Sequence, residues 1–273
     1  MKVQNKVIVV TGGGNGIGRE LVLGLISKGA YVAAVDVNET ALQGTSQLAG
    51  DDQREHLSTH VVNVVDKDAV SALPEQVIAE HSAVDGIINN AGIIQPFVRV
   101  NDLGDADIER VMKVNFYGTL SMTKAFLPHL LKRPEAHVVN ISSMGGFLPV
   151  PGQAVYGASK AAVKLFTEGL RSELSDTRVR VTVVFPGAIG TDLPANSGVD
   201  LSQDSDIAKR IQRIIKPLAP SKAAQKIIDG IERNRSRVFV GLDSALMDVA
   251  YRTSPRGAAK LISGLMQSLL SVR

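Results

Sequence analysis

Tyr156 and Lys160 are the two residues of this 273-residue chain whose types and spacing point most directly to acid–base chemistry. They lie four positions apart in a stretch with a helical pattern, so both side chains share one face of the predicted helix. A lysine ammonium beside a phenol favours the phenolate and lowers the pKa of the tyrosine from about 10 towards the operating pH. Such a tyrosine can give a proton to a reacting group and take one back.

Two serines, Ser142 and Ser143, follow the strand-like run His137–Ile141 a short distance before the tyrosine. The loop after a parallel strand lies at the carboxyl edge of the sheet, where ligands bind in this class of fold. Either hydroxyl could donate a hydrogen bond to a substrate carbonyl oxygen and hold that oxygen against Tyr156.

A glycine-rich turn from Thr11 to Gly18 separates the first strand-like run from a predicted helix. Glycines allow the backbone to turn tightly and to approach a pyrophosphate, and the helix N-terminus offers unpaired N–H groups to the anion. This context predicts a dinucleotide site formed by Gly12, Asn15, Gly16, Ile17 and Gly18.

Asp36 ends the second strand-like run, at the position where a carboxylate can accept hydrogen bonds from the adenosine ribose. The same charge would repel a 2′-phosphate, and the turn from Gly12 to Gly18 contains no Arg or Lys to receive one. We therefore expect NAD rather than NADP. The alternative is that Asp36 only caps the helix that follows Val37.

The elements that must position these residues alternate between short aliphatic runs and amphipathic stretches. Continuous apolar runs are typical of strands buried on both faces of a parallel sheet. The predicted strands are Val7–Val10, Tyr31–Val35, Thr59–Val62, Gly86–Ile88, His137–Ile141, Arg180–Phe185 and Arg237–Val240. The predicted helices are Ile17–Lys28, Glu39–Leu48, Lys67–His81, Asp105–Leu131, Val155–Leu174, Asp206–Lys216 and Ser221–Arg233.

This alternation predicts an α/β fold with a doubly wound parallel sheet of seven strands and helices on both faces, the Rossmann arrangement. We expect one NAD-binding domain over residues 1–273. A segment rich in Gly, Pro, Asn and Ser predicts a substrate loop at about 188–220. Apolar residues at helical spacing predict a helical tail at about 243–273, which packs on its own subunit or on a partner.

Taken together, these motifs resemble the short-chain dehydrogenase/reductase family in its standard-length branch. The resemblance extends from Thr11 to Thr191, about two thirds of the chain. It identifies the cofactor loop Thr11–Gly18, a motif that steadies the central sheet in Asn90, Ala91 and Gly92, and a catalytic tetrad of Asn115, Ser143, Tyr156 and Lys160. It prefers Ser143 to Ser142 because the family serine usually stands thirteen positions before the tyrosine.

The resemblance also implies how the cofactor is held. Lys160 and Tyr156 would contact the nicotinamide ribose, and Asn115 would hold a water that links Lys160 to solvent. The segment Pro186, Gly187, Ile189 and Thr191 would cover the nicotinamide. Many relatives have Asp-Val after the third strand, whereas this chain has Asn63 and Val64; the Asn63 amide oxygen can still accept a hydrogen bond from adenine.

The expected substrate is an uncharged, partly hydrophobic alcohol or ketone. Candidate wall residues beside the tetrad are mostly apolar, and no Arg or Lys occurs at 144–155 or 187–206. The predicted substrate contacts are Ser143, Met144, Phe147, Val150, Tyr156 and Leu193. The implied reaction is a hydride transfer between NAD and a carbonyl/alcohol pair, and the alternative is a catalytically silent NAD-binding sensor or scaffold on the same fold.

Composition narrows the setting. The absence of Cys excludes disulfides and Cys-ligated metals, and together with the lack of a secretory signal it favours a cytoplasmic protein without a metal site. No apolar run is long enough to span a bilayer. A surplus of basic residues after position 200 lacks the stacking aromatics that nucleic-acid binding would need, so a solvated face is favoured. The family resemblance suggests a homodimer or homotetramer.

Overall fold

Seven parallel strands form the sheet of the computed structural model, which describes residues 1–191, 193–197 and 217–270. Along the edge they follow the order β3-β2-β1-β4-β5-β6-β7. Their bounds are β1 Val7–Thr11, β2 Tyr31–Asp36, β3 Leu57–Val61, β4 Gly86–Asn89, β5 Ala136–Ile141, β6 Val179–Pro186 and β7 Arg237–Val240. The predicted doubly wound parallel sheet is confirmed, and each predicted strand ends within two residues of the observed one.

Helices cover both faces of this sheet. Their bounds are α1 Gly16–Ile26, α2 Glu39–Ala49, α3 Lys67–His81, α4 Asp105–Met112, α5 Thr119–Leu130, α6 Ala154–Glu173, α7 Leu193–Asn196, α8 Pro220–Glu232, α9 Leu242–Thr253 and α10 Pro255–Leu270. The helix predicted at 206–216 lies outside the described residues.

The two faces are packed by alternate residues of the same strands, as the period of two requires. Ile8 of β1 belongs to one core cluster, where Leu25 of α1 and Ile228 of α8 are fully buried. Val9 belongs to the other cluster, where Phe126 of α5 is fully buried. The continuous apolar runs of the sequence reflect this burial on both sides.

The helix predicted as one unit over Asp105–Leu131 is interrupted, which corrects that prediction. A π-helical segment, Lys113–Gly118, separates α4 from α5. Gly118 lets this segment approach the loop after β3 closely, because a Cβ there would lie 2.8 Å from Val64 Cγ2. Such segments are frequent at functional sites, and apolar periodicity does not reveal them.

The C-terminal tail predicted at about 243–273 is a pair of helices, α9 and α10. Its Ala258 and Ile262 are buried against Leu148, which confirms that part of the tail packs on its own subunit. Leu261, also in α10, is exposed. Within the described ranges, no helix is both long and apolar enough to cross a bilayer.

Candidate active site

A cleft of about 450 Å³ opens where the glycine turn, the loops after β4 and β5, and the start of α6 meet. Most of the residues predicted from sequence line it: Gly12, Asn15, Gly16, Ile17, Asp36, Asn63, Val64, Asn90, Ala91, Gly92, Ser143, Tyr156, Lys160, Pro186, Gly187, Ile189, Thr191 and Leu193. The remaining predicted residues, Gly18, Asn115, Met144, Phe147 and Val150, lie behind or beside this wall.

The glycine turn has the backbone that its sequence requires. Gly12 and Gly16 have φ angles of 68° and 54°, in the left-handed region that glycine adopts without strain. Gly18 does not line the cleft; it is buried, and any Cβ there would collide with the Gly12 carbonyl oxygen. Its role is therefore the close packing of α1 against the turn, while Gly12 and Gly16 leave the cleft wall open.

Hydrogen bonds join the turn to the loop after β4. Thr11 Oγ1 accepts from the backbone N–H groups of Asn90 and Ala91, each at 3.0 Å. The Asn90 side chain donates back to the Thr11 carbonyl oxygen at 3.0 Å. Asn90 thus fixes two neighbouring strand ends to each other, as the resemblance implies.

Asp36 lines the cleft, and both of its carboxylate oxygens accept from backbone N–H groups. Its Oδ2 accepts from the Gly14 backbone N–H at 2.9 Å, and its Oδ1 accepts from the Asn38 N–H at 3.0 Å. The cap of α2 is Asn38, whose side chain accepts from Ala41 N–H. Helix capping therefore does not account for Asp36.

Arg19 is the cation nearest to the glycine turn, and its side chain is hydrogen-bonded to the turn itself. Its guanidinium donates to the Gly14 carbonyl, to Asn15 Oδ1 at 3.0 Å and to Thr45 Oγ1 at 3.2 Å. The side chain braces the turn from the α1 side and does not line the cleft.

Ser143, Tyr156 and Lys160 form one group at the floor of the cleft. Ser143 follows β5, where its Oγ accepts from the Gly145 N–H at 3.1 Å, and its hydroxyl is close enough to the Tyr156 phenol to lower the pKa of that group. Lys160 stands one turn of α6 further on, is 5% exposed, and donates from Nζ to the Ile141 carbonyl at 3.0 Å. The neighbouring Ser142 donates to the Lys160 carbonyl oxygen at 2.7 Å, so its hydroxyl is used in holding α6.

The electrostatics differ from the sequence expectation. Burial raises the pKa of Tyr156 above 10.0, and the hydrogen bond from Ser143 opposes that shift. Burial lowers the pKa of Lys160 from 10.5 to about 8. The expected net lowering of the tyrosine pKa is therefore not met in the chain alone, because desolvation of the phenol outweighs the hydrogen bond from Ser143.

Asn115 lies in the π-helical segment and is fully buried. Its Oδ1 accepts from Ile93 N–H at 2.8 Å, and its Nδ2 donates to the Ile93 carbonyl and to Ser159 Oγ, each at 2.9 Å. A Cβ on Gly92 would lie 3.1 Å from Lys160 Nζ and 3.3 Å from Asn115 Oδ1, so a side chain at this position would crowd both groups. The water-holding role of Asn115 stays a prediction.

The three apolar residues predicted as substrate contacts after Ser143 are not part of the cleft wall. Met144, Phe147 and Val150 are partly buried against the C-terminal helices, in the cluster that contains Ile262. Their contact with a substrate stays a prediction. Leu193, from the short α7, does line the cleft.

Sequence reasoning missed the residues that brace the site from a distance. Asp243, at the start of α9, accepts from the Ala188 N–H at 2.7 Å and so holds the segment after β6. Buried Ser197 accepts from Ile94 N–H at 2.9 Å, and buried Gln95 binds the first turn of α6. These contacts join residues far apart in the chain, and no local pattern announces them.

Known proteins resemble this chain along most of its length. The sequence profile of the short chain dehydrogenases matches residues 6–202. The protein named "Putative oxidoreductase SadH", from Mycobacterium tuberculosis, is 38% identical over 267 residues, covering 95% of each chain.

Two solved structures are similar in fold. A short-chain dehydrogenase/reductase from Burkholderia phymatum, in complex with NAD, is 25% identical with a TM-score of 0.80, covering 88% of this chain and 90% of that one. A short-chain dehydrogenase from Burkholderia cenocepacia, in complex with NADP, is 24% identical with a TM-score of 0.78, covering 96% and 99%.

Replacing Ser143 by Ala will raise the pKa of Tyr156 further, because the hydroxyl no longer donates to the phenolate. Phenolate absorbance is followed against pH, and the same titration of Tyr156→Phe is subtracted to isolate this residue among the four tyrosines. Ser142→Ala, which removes a hydroxyl bonded to Lys160 instead, serves as the control. An unchanged or lower midpoint in Ser143→Ala contradicts the assigned hydrogen bond.

Proposed function

The chain belongs to the short-chain dehydrogenase family of oxidoreductases, and from that premise we propose that it interconverts a secondary alcohol and a ketone with NAD(H), with Tyr156 as acid and base. One observation carries the proposal: the group of Ser143, Tyr156 and Lys160 opens onto the same cleft as the glycine turn and Asp36. Hydride transfer requires the dinucleotide site and the acid–base group to lie close together.

The residues present fit a dinucleotide. Gly12 and Gly16 leave a cradle in the cleft wall, and a Cβ on Gly16 would lie 3.3 Å from the Thr191 side chain. The N-terminus of α1 would receive the pyrophosphate, and Asn90, Ala91, Asn63 and Val64 would surround the adenosine side. When bound, the nicotinamide supplies hydride acceptance and donation.

The preference for NAD over NADP is supported by charge. The Asp36 carboxylate lines the cleft beside the glycine turn, where it would accept from ribose hydroxyls and repel a 2′-phosphate. Arg19, the nearest cation, is bonded to the turn itself. Solved relatives bind either cofactor, so this preference rests on the residues of this chain.

In the proposed mechanism Tyr156 gives its proton to the carbonyl oxygen during reduction and takes a proton from the alcohol during oxidation. Ser143 donates a hydrogen bond that orients and stabilises that oxygen. Lys160 holds positive charge close to the phenol when protonated and would bind the ribose. Because burial raises the pKa of Tyr156, the phenol stays protonated through neutral pH, which suits proton donation to a ketone.

The proposed substrate is uncharged and partly hydrophobic. The cleft beside Tyr156 is lined by Ile93, Ile141 and Leu193. Among the described residues, Lys160 is the only Lys or Arg that lines it. A polyanionic substrate would find no further positive side chain in this wall to pair with. A ring ketone or an aliphatic secondary alcohol fits this chemistry.

We further propose a single domain that forms a homodimer or homotetramer. Tyr117 of the π-helical segment and Leu165 of α6 are 55% and 69% exposed, although both are large and apolar. Neighbouring exposed apolar residues mark protein interfaces more often than free surface. This supports pairing between subunits through the helical stretches Asp105–Leu131 and Val155–Leu174, which contain these two residues.

A catalytically silent NAD sensor on the same fold is the second candidate. Such a protein needs the glycine turn and Asp36 but gains nothing from a buried lysine beside a tyrosine. The hydrogen bond between Ser143 and Tyr156 and the buried Lys160 favour the enzyme.

Tyr156→Phe tests the assignment. The wild-type protein is incubated with NAD and a panel of cyclic and aliphatic secondary alcohols, and the nicotinamide absorbance is followed. The variant should lose turnover by at least about 10²-fold, because the acid–base group is gone. Its Kd for NAD should stay nearly unchanged. Retained turnover in Tyr156→Phe contradicts the mechanism, and tight NAD binding without turnover of any alcohol favours the sensor.

Asp36→Asn tests the cofactor preference separately. The amide keeps an acceptor for the ribose but removes the negative charge, so the affinity for NADP should rise at least about tenfold relative to NAD. Asp36→Ala, which removes the acceptor too, should also weaken NAD by about tenfold, as for a hydrogen bond to a charged group. The two Kd values are measured by calorimetry. An unaltered NADP/NAD ratio in both variants would remove Asp36 from the selection of cofactor.

A further inference from the structure

We propose that Gln95 is a positioning residue that fixes the start of α6 and thereby the place of the Tyr156 phenol. Gln95 stands three residues beyond Gly92, and its side chain has no exposed surface. It contacts neither cleft nor solvent, so it acts through Tyr156 and not on a substrate. The inference rests on the proposed function, in which Tyr156 is the acid and base.

The first turn of α6 has no cap of its own. Gln153 precedes the helix with a φ of −129° and a ψ of 32°, and its side chain makes no capping hydrogen bond. The first N–H groups of any helix have no partner within the helix. Here Gln95 Oε1 accepts from the N–H groups of Val155 and Tyr156, each at 2.9 Å. A side chain from another part of the fold therefore performs the capping.

The contact is reciprocal. Gln95 Nε2 donates to the Gly152 carbonyl oxygen at 3.1 Å, and Gln153 Nε2 donates to the Gln95 backbone carbonyl at 2.9 Å. The Gln95 side-chain amide therefore accepts from two N–H groups inside the helix and donates to a carbonyl oxygen just before it. A shorter or apolar side chain at position 95 would leave two partly buried N–H groups without this partner, which is costly.

Gln95 is itself held in place by the two residues before it. Ile93 is bonded through both backbone polar atoms to the Asn115 side chain. Ile94 donates to Ser197 Oγ at 2.9 Å, at the end of the short helix that carries the cleft residue Leu193. The segment 93–95 therefore connects the π-helical segment, the substrate side of the cleft and the start of α6.

This arrangement has a kinetic consequence. Tyr156 is the third residue of α6, so a helix that begins later or frays displaces the phenol from Ser143. The hydrogen bonds of Gln95 go to the start of α6 and not to the glycine turn or Asp36, so the adenosine and pyrophosphate side of the dinucleotide site does not depend on it. Loss of the cap should therefore lower kcat and leave the Kd for NAD unchanged.

The matched control is Asp66, which caps α3. Its Oδ1 accepts from the N–H groups of Asp68 and Ala69, each at 3.0 Å, so it binds the same pair of amides at its helix as Gln95 does at α6. Asp66→Ala removes a helix cap that also binds two N–H groups but lies on a different helix from Tyr156. It reports what the loss of a helix cap does to stability alone.

Three variants are compared: Gln95→Leu, Gln95→Glu and Asp66→Ala. With the panel alcohol that the wild type oxidises fastest, Gln95→Leu should lower kcat by about tenfold to a hundredfold, the scale of a misplaced catalytic group. Gln95→Glu keeps an oxygen for both N–H groups but loses the donor to the Gly152 carbonyl and buries a charge, so its kcat should fall clearly less than that of Gln95→Leu. Asp66→Ala should keep the wild-type kcat even where its melting temperature falls as far as that of Gln95→Leu.

Amide hydrogen exchange supplies a readout that needs no substrate. Exchange at 153–160 should accelerate in Gln95→Leu and stay at the wild-type rate in Asp66→Ala. The inference is overturned if this exchange is unchanged, if kcat falls equally in Gln95→Leu and Asp66→Ala, or if Gln95→Glu loses as much activity as Gln95→Leu. A wild type that oxidises no panel alcohol refutes the proposed function, and the exchange result still decides whether Gln95 holds Tyr156.

Discussion

A lysine side chain buried beside a phenol is the constraint around which this structure is arranged. Lys160 is 5% exposed, and its Nζ has one backbone carbonyl, that of Ile141, as its hydrogen-bond acceptor. A charged group in such a place needs partners held in advance. The end of β5 provides the carbonyl, Gly92 provides the space, and α6 fixes the lysine one turn from Tyr156. Three separate segments must therefore meet at one point before any chemistry is possible.

The parallel sheet is what makes that meeting possible. The carboxyl ends of β1, β4, β5 and β6 lie at the same edge, so the loops that follow them share one cleft. The cofactor side of the cleft comes from loops that are close in sequence to their strands. The substrate side comes from distant segments, including α7, and is backed by the C-terminal helices through Met144 and Phe147. This division explains why the sequence predicts the residues on the cofactor side of the cleft more readily than those on the substrate side.

The sequence predicted the strands well because burial on both faces leaves continuous apolar runs such as Val7–Val10. It also predicted the residues of the cleft wall that lie in short motifs, among them Gly12, Asp36 and Tyr156. It could not predict the π-helical segment, because a segment of six residues is too short to stand out within a helical apolar pattern. Nor could it predict Gln95, whose partners at Val155 and Tyr156 are sixty positions away. The pKa of Tyr156 was expected to fall because Lys160 is visible in the sequence, whereas the burial that raises it is not.

The central claim is that Ser143 and Tyr156 bind one substrate oxygen beside a dinucleotide held by the glycine turn. A crystal structure of the protein with NAD and a secondary alcohol tests it most directly. The account predicts that the alcohol oxygen lies within hydrogen-bond distance of both Tyr156 Oη and Ser143 Oγ, with the adenosine ribose at Asp36. An alcohol oxygen bound away from Tyr156, with NAD in place, would contradict it.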